Sequence, residues 1–176
     1  AYLQALVRNQ LLPSYVLVLA NPSNKSLPGQ LAEAKNTTTI SDTVEYNECW
    51  SEVNYNKSEK ILTTLINNNI HYEVSTINNI HDLKVLEKIS NRPEAVFIYS
   101  GYGGILLKRT VFETGKRFLH VHGGYLPDYK GSTTNYYSLL LENYLGASSL
   151  FLNEQIDSGP VIHRRRFPSP GNKLEI

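Results

Sequence analysis

Apolar positions fall in short blocks along the chain, separated by polar segments rich in Asn, Ser, Gly and Pro. Residues 1–12 carry their apolar side chains at helical spacing, and Pro13 ends that run. Tyr15–Ala20 is continuously apolar and of strand length, bounded by Asn21 and Pro22. The pattern then dissolves, so residues 22–57 read as a polar loop excursion. Order returns with a helix over Ser58–Leu65, a strand over Tyr72–Thr76, a helix over His81–Ser90 and a buried strand over Ala95–Tyr99. A turn at Gly101–Gly104 leads into a short helix over Ile105–Thr114 and a strand over Phe118–His122. The loop Gly123–Ser132, a helix over Thr133–Tyr144 and strands over Ala147–Leu152 and Val161–Phe167 complete the expected order.

Short apolar strands alternating with helices predict an α/β protein with a mostly parallel sheet and helices on both of its faces. At 176 residues the chain is the size of one domain and long enough to build a core without disulfides or metal. The net charge of +1 offers no electrostatic argument for nucleic acid or an anionic membrane, and no apolar run approaches the roughly 18 residues of a membrane span. Cys49 is the single cysteine, which fits a reducing compartment, so a cytoplasmic location is expected. The chain begins at Ala1 and contains no Met, so both of its ends are expected to be incomplete. Trp50, inside the polar excursion, is read as a packing residue.

Open α/β sheets bind ligands beyond the carboxyl ends of their strands. Three segments should meet there: Ser100–Gly104, His120–Gly124 and Gln155–Pro160. His120 and His122 are two residues apart in a strand, so they share a face. The glycines that follow let backbone approach a ligand closely, and Asp157 precedes a Ser-Gly-Pro turn that would present its carboxylate. A His oriented by an Asp is a general acid or base near neutral pH. The same side chains, with His163, would also suffice for a catalytic zinc. Neither a nucleophile elbow nor a phosphate loop is present.

The run His120-Val-His122-Gly-Gly-Tyr125-Leu126-Pro127-Asp-Tyr-Lys-Gly131, then Gly146-Ala147 and Ile156-Asp157-Ser-Gly159-Pro160, resembles the folate-dependent formyltransferase family. That family carries Asn-x-His, then Leu-Pro and Gly in a loop, then Asp-x-Gly-Pro about thirty-five residues on; the likeness covers about residues 90 to 165. It implies a Rossmann-like catalytic domain over residues 1–176, with 10-formyltetrahydrofolate as co-substrate and no metal. His122 matches the family's catalytic His and Asp157 the Asp that holds it. His120 stands where the family has Asn, and is read as its replacement. Gly103, Gly104, Ile105 and Leu106 match the segment that cradles the pterin, with Ile156 from the Asp motif beside it. Tyr125, Tyr129, Lys130 and Asn135 match the acceptor side.

Tyrosines 125, 129, 136 and 137 suit a sugar or nucleotide face, so the expected acceptor is a small-molecule amino sugar. Candidates are a nucleotide-linked amino sugar or a nonulosonic (pseudaminic) acid precursor used for surface glycans. Glycinamide ribonucleotide and methionyl-tRNA are the alternatives within the family. A metal-dependent hydrolase built on His120 and His122, and a non-catalytic folate- or sugar-binding domain, are the alternatives outside it. No nucleic-acid or membrane partner is expected. The resemblance allows a homodimer, with no interface legible in the sequence.

Overall fold

The computed structural model describes residues 2–20, 56, 58–101 and 104–169. The polar excursion expected at 22–57, with Cys49 and Trp50, lies outside the described residues except for Asn56. The chain divides into two compact units, residues 1–79 and 80–176.

In the first unit, α1 (Tyr2–Arg8), β1 (Val16–Leu19), α2 (Ile61–Asn67) and β2 (Tyr72–Ser75) follow one another. The two strands pair in parallel, with Val16 opposite Tyr72 and Leu19 opposite Ser75. Leu62, Leu65 and Ile70 form the centre, and Leu3, Val7, Val16, Val18, Tyr72 and Val74 pack on it. The helix expected from Ser58 starts at Ile61, because Lys60 is extended. Gln4 secures the approach to that helix: its amide nitrogen donates to the Asn56 carbonyl and its amide oxygen accepts from the Asn56 N–H, both at 3.0 Å.

The second unit contains α3 (Leu83–Ser90), β3 (Val96–Ile98), α4 (Arg109–Phe112), β4 (Arg117–His122), α5 (Thr134–Glu142), β5 (Tyr144–Phe151) and β6 (Val161–Pro168). Its sheet has the order β3-β4-β5-β6. The β3–β4 pair is parallel, whereas β4–β5 and β5–β6 are antiparallel. The alternation of helices and strands gives the α/β class but does not show this reversal at the last two strands. Asp82 caps α3 by accepting the Lys84 N–H at 2.9 Å, which starts the helix two residues after the expected His81.

Three local expectations are corrected. The strand at 95–99 is not buried throughout: Val96 and Ile98 are 44% and 43% exposed. The pleat sends them to one face while Phe97 turns to the other, where its ring stands 6.0 Å from that of Phe118. The helix expected over 105–114 shrinks to Arg109–Phe112, because Lys108 is extended and its N–H donates to a His81 ring nitrogen at 3.1 Å. The helix expected to reach Tyr144 ends at Glu142, because Asn143 turns left-handed (φ 55°) and Tyr144 enters β5.

The face that carries the site is organised by residue pairing. Phe118, His120 and His122 leave β4 on one side, with Leu150 and Ser148 opposite the two histidines on β5. Phe118 is buried between Phe97 and an edge-on Phe112. Phe118→Ala should therefore cost about 3–5 kcal/mol of stability, read as a lower denaturation midpoint in urea. An unchanged midpoint would contradict this core assignment.

Candidate active site

His122 is 6% exposed at the end of β4. Its Nδ1 lies 3.4 Å from an Asp157 carboxylate oxygen, the distance of an ion pair rather than of a short hydrogen bond. Its Nε2 lies 2.8 Å from the Tyr129 carbonyl oxygen. Both neighbours only accept, so an imidazolium donates to both and a neutral ring to one. Asp157 itself accepts the Gly131 N–H at 2.8 Å through the oxygen nearer His122. The pair is thus clasped by the loop at residues 129 and 131.

Two glycines make this closeness feasible. A Cβ at Gly124 would lie 2.6 Å from His122 Nε2 and 2.7 Å from the Tyr129 carbonyl oxygen. At Gly159 a Cβ would collide with the Phe151 carbonyl oxygen, so only glycine lets the Asp157 turn fold back on the end of β5. Asp157 adopts a left-handed backbone (φ 45°), a conformation Asp tolerates better than most residues. The loop is fixed from below by Ser148, which is 1% exposed. Its hydroxyl donates to the Gly124 carbonyl at 2.7 Å and accepts the Leu126 N–H at 2.9 Å.

His120 is half-buried on the same face, and its Nδ1 lies 3.0 Å from the Tyr99 carbonyl oxygen. Of the three segments expected to meet, His120–Gly124 and Gln155–Pro160 do so through His122 and Asp157. Tyr99, the residue before Ser100–Gly104, reaches His120 with its carbonyl. Gly103 lies outside the described residues.

Gly104 is left-handed (φ 83°), and Ile105 and Leu106 are 43% and 49% exposed. The backbone at residues 105–108 is not helical. Exposed apolar side chains beside backbone free of a helix offer apolar cover and polar edge contacts to a flat ring. Ile156 is 58% exposed. Sequence reasoning missed the residue that holds this segment extended: His81, one of whose nitrogens takes the Lys108 N–H while the ring also hydrogen-bonds the Leu106 backbone. Burial, and then the Lys108 charge, lower its pKa from 6.5.

Of the residues expected on the acceptor side, Lys130 donates to the Ser158 hydroxyl at 3.1 Å, and Asn135 accepts the Gly146 N–H at 2.7 Å. The Tyr129 hydroxyl donates to Glu142 at 2.6 Å, and that bond, followed by desolvation, pushes its pKa up to about 12. Tyr125 lies beneath Arg164 and Arg166, at 4.9 and 4.4 Å from its ring centre. Tyr144, also missed from sequence, packs edge-on to Tyr125 and Tyr129. Its buried hydroxyl has no hydrogen-bond partner among the described residues. No group of three or more His, Cys, Asp or Glu side chains placed to hold a metal ion occurs among the described residues. No helix among them is long and apolar enough to cross a membrane.

Comparison with known proteins gives a consistent result. A family model described as Formyl transferase matches residues 8–169. Two curated methionyl-tRNA formyltransferases are similar in sequence. That of Finegoldia magna is 31% identical over 91 residues, 51% of this chain and 29% of that protein. That of Listeria innocua is 29% identical over 85 residues, 47% of this chain and 27% of that protein. The match therefore spans less than a third of these relatives' length. The crystal structure of phosphoribosylglycinamide formyltransferase from Streptococcus pneumoniae shares the fold, with a TM-score of 0.55 at 15% identity, covering 92% of this chain and 86% of that one.

His81 gives a pH prediction. Its lowered pKa means the folded chain disfavours the proton that the unfolded chain accepts at about 6.5. The stability it contributes is complete above about 6.5 and is lost as pH falls below that value towards the lowered one. His81→Asn should flatten this acid-side loss in urea midpoints measured across pH. An identical slope in both proteins would contradict it.

Proposed function

We propose, for a chain that belongs to the formyl transferase family, that it moves a formyl group from 10-formyltetrahydrofolate to the amine of an amino sugar. The observation that carries the chemical part is the buried His122–Asp157 pair, with a carbonyl oxygen 2.8 Å from His122 Nε2. That carbonyl marks the kind of partner Nε2 accepts. A substrate oxygen that displaces the Tyr129 carbonyl receives the same N–H, now aimed at negative charge as it develops. Donors held in place before reaction are usually the largest catalytic contribution at such centres. Asp157 keeps the ring oriented and supports its positive charge.

The formyl donor supplies an activated one-carbon group. Gly104, Ile105 and Leu106 hold its pterin, with Ile156 adding apolar cover and His81 keeping the segment extended. Loop residues 125–131 must shift for the formyl oxygen to reach Nε2, because in the present conformation the Tyr129 carbonyl occupies that nitrogen.

The amino-sugar assignment rests on the acceptor side. Tyr136 and Tyr137 are exposed. Tyr125 is flanked by two guanidinium groups, and beside it stands a buried tyrosine hydroxyl with a hydrogen bond to give. An aromatic surface next to cations and an unspent donor favours an acceptor that joins a sugar to a phosphate, as a nucleotide-linked amino sugar does.

The test is a formyl-transfer assay with 10-formyltetrahydrofolate and three acceptors: a nucleotide-linked amino sugar, glycinamide ribonucleotide and methionyl-tRNA. Turnover should be greatest with the first. Asp157→Asn should lower kcat by about 10²-fold or more while 5-formyltetrahydrofolate binding persists. Preference for another acceptor would replace the sugar assignment, and full activity in the variant would overturn the role of the pair.

A further inference from the structure

We infer that His120 is the general base of the reaction, with the task of taking the proton from the acceptor amine. This rests on the formyl-transfer reading above and adds a residue role to it. A carbonyl oxygen can only accept, so the 3.0 Å contact with Tyr99 requires the proton on His120 Nδ1. In the neutral ring the other nitrogen, Nε2, then carries a lone pair. No hydrogen bond to Nε2 is made by any described residue. His120 is half-buried, on the same face of β4 as His122 and one pleat repeat away. The arrangement has the parts of an activated base: a ring nitrogen with a free lone pair and a fixed group on the opposite nitrogen that sets tautomer and orientation.

The two histidines are thereby set apart. His122 has acceptors at both nitrogens and is a donor towards substrate, whereas His120 has its only neutral-form N–H spent on Tyr99 and is an acceptor. Neutral His120 therefore cannot donate to the formyl oxygen as an Asn amide would. In the reaction, the acceptor nitrogen's lone pair forms the new bond to the formyl carbon, and the bond from that carbon to the donor nitrogen breaks. The proton lost by the acceptor nitrogen passes to His120 Nε2 and is returned to the departing donor nitrogen, so the ring ends neutral.

The surroundings of His120 are sparing in charge. From the end of β3 it is faced by the next residue, Tyr99, whose ring centre is 6.3 Å away and whose phenol is kept protonated by a pKa raised through burial. From β4 it is faced by His122, with Asp157 beyond it, and from β5 by Leu150 and Ser148, which do not titrate.

The experiment compares kcat/KM against pH for the unmodified chain and His120→Asn, with 5-formyltetrahydrofolate binding measured on both. Asn retains an N–H for the Tyr99 carbonyl but cannot take a proton. A base predicts activity that rises with pH on the acid side of the profile in the unmodified chain. It predicts a loss of about 10²–10⁴-fold in the variant and disappearance of the His120 contribution to that limb. Donor binding should survive. An unmodified chain with no rise in activity on the acid side, or a variant as fast or faster, would make His120 an oxyanion donor or a bystander and overturn the inference. Loss of donor binding together with turnover would make it structural, with the same consequence. Absence of formyl transfer by the unmodified chain with every acceptor would overturn the underlying reading as well.

Discussion

A strand repeats every two residues, so His120 and His122 emerge from β4 on one face, and each meets a backbone carbonyl there. These two carbonyls, from Tyr99 and Tyr129, determine what the histidines are able to do. A carbonyl bound at Nδ1 fixes one tautomer, and a carbonyl at Nε2 with a carboxylate at Nδ1 gives the other ring an acceptor for every N–H it carries, two when protonated and one when neutral. The Tyr99 carbonyl is aimed by parallel pairing of β3 with β4, where the Tyr99 N–H donates to the Leu119 carbonyl at 2.8 Å. The Tyr129 carbonyl is aimed by a loop that Ser148 fastens from β5.

That dependence runs through the less conspicuous residues. The ring of His122 leaves no room for a Cβ at Gly124, and the end of β5 leaves none at Gly159. The turn that delivers Asp157 uses a left-handed residue and spends a carboxylate oxygen on the Gly131 N–H. The same sheet register therefore places the histidines, the loop and the carboxylate. The antiparallel return of β5 and β6 contributes as well, since it brings Arg164 over Tyr125 and lets its guanidinium donate to the Leu126 carbonyl at 2.6 Å.

Much of this is legible in the residues. Apolar blocks locate β3, β4 and most of β5, and the spacing of His120, His122 and Asp157 identifies the groups that the fold assembles. Other features depend on long-range contacts that periodicity does not encode. Residues 105–108 look helical because their apolar content fits that period, yet a bond from Lys108 to His81, twenty-seven residues away, keeps them extended. Tyr144 continues a helical pattern, but a left-handed Asn143 starts a strand there. The tautomer of His120 is set by the backbone of another strand, so the sequence shows the ring but not the position of its proton.

That position is the quantity on which the division of labour rests. It is read directly by nitrogen-15 NMR of the chain labelled at histidine, recorded at a pH where the rings are neutral, with each ring assigned by His→Asn substitution. The expected result is a proton on Nδ1 of His120 and an unprotonated Nε2. A neutral His120 with its proton on Nε2 would contradict its role as a base, because that ring would donate where it has to accept.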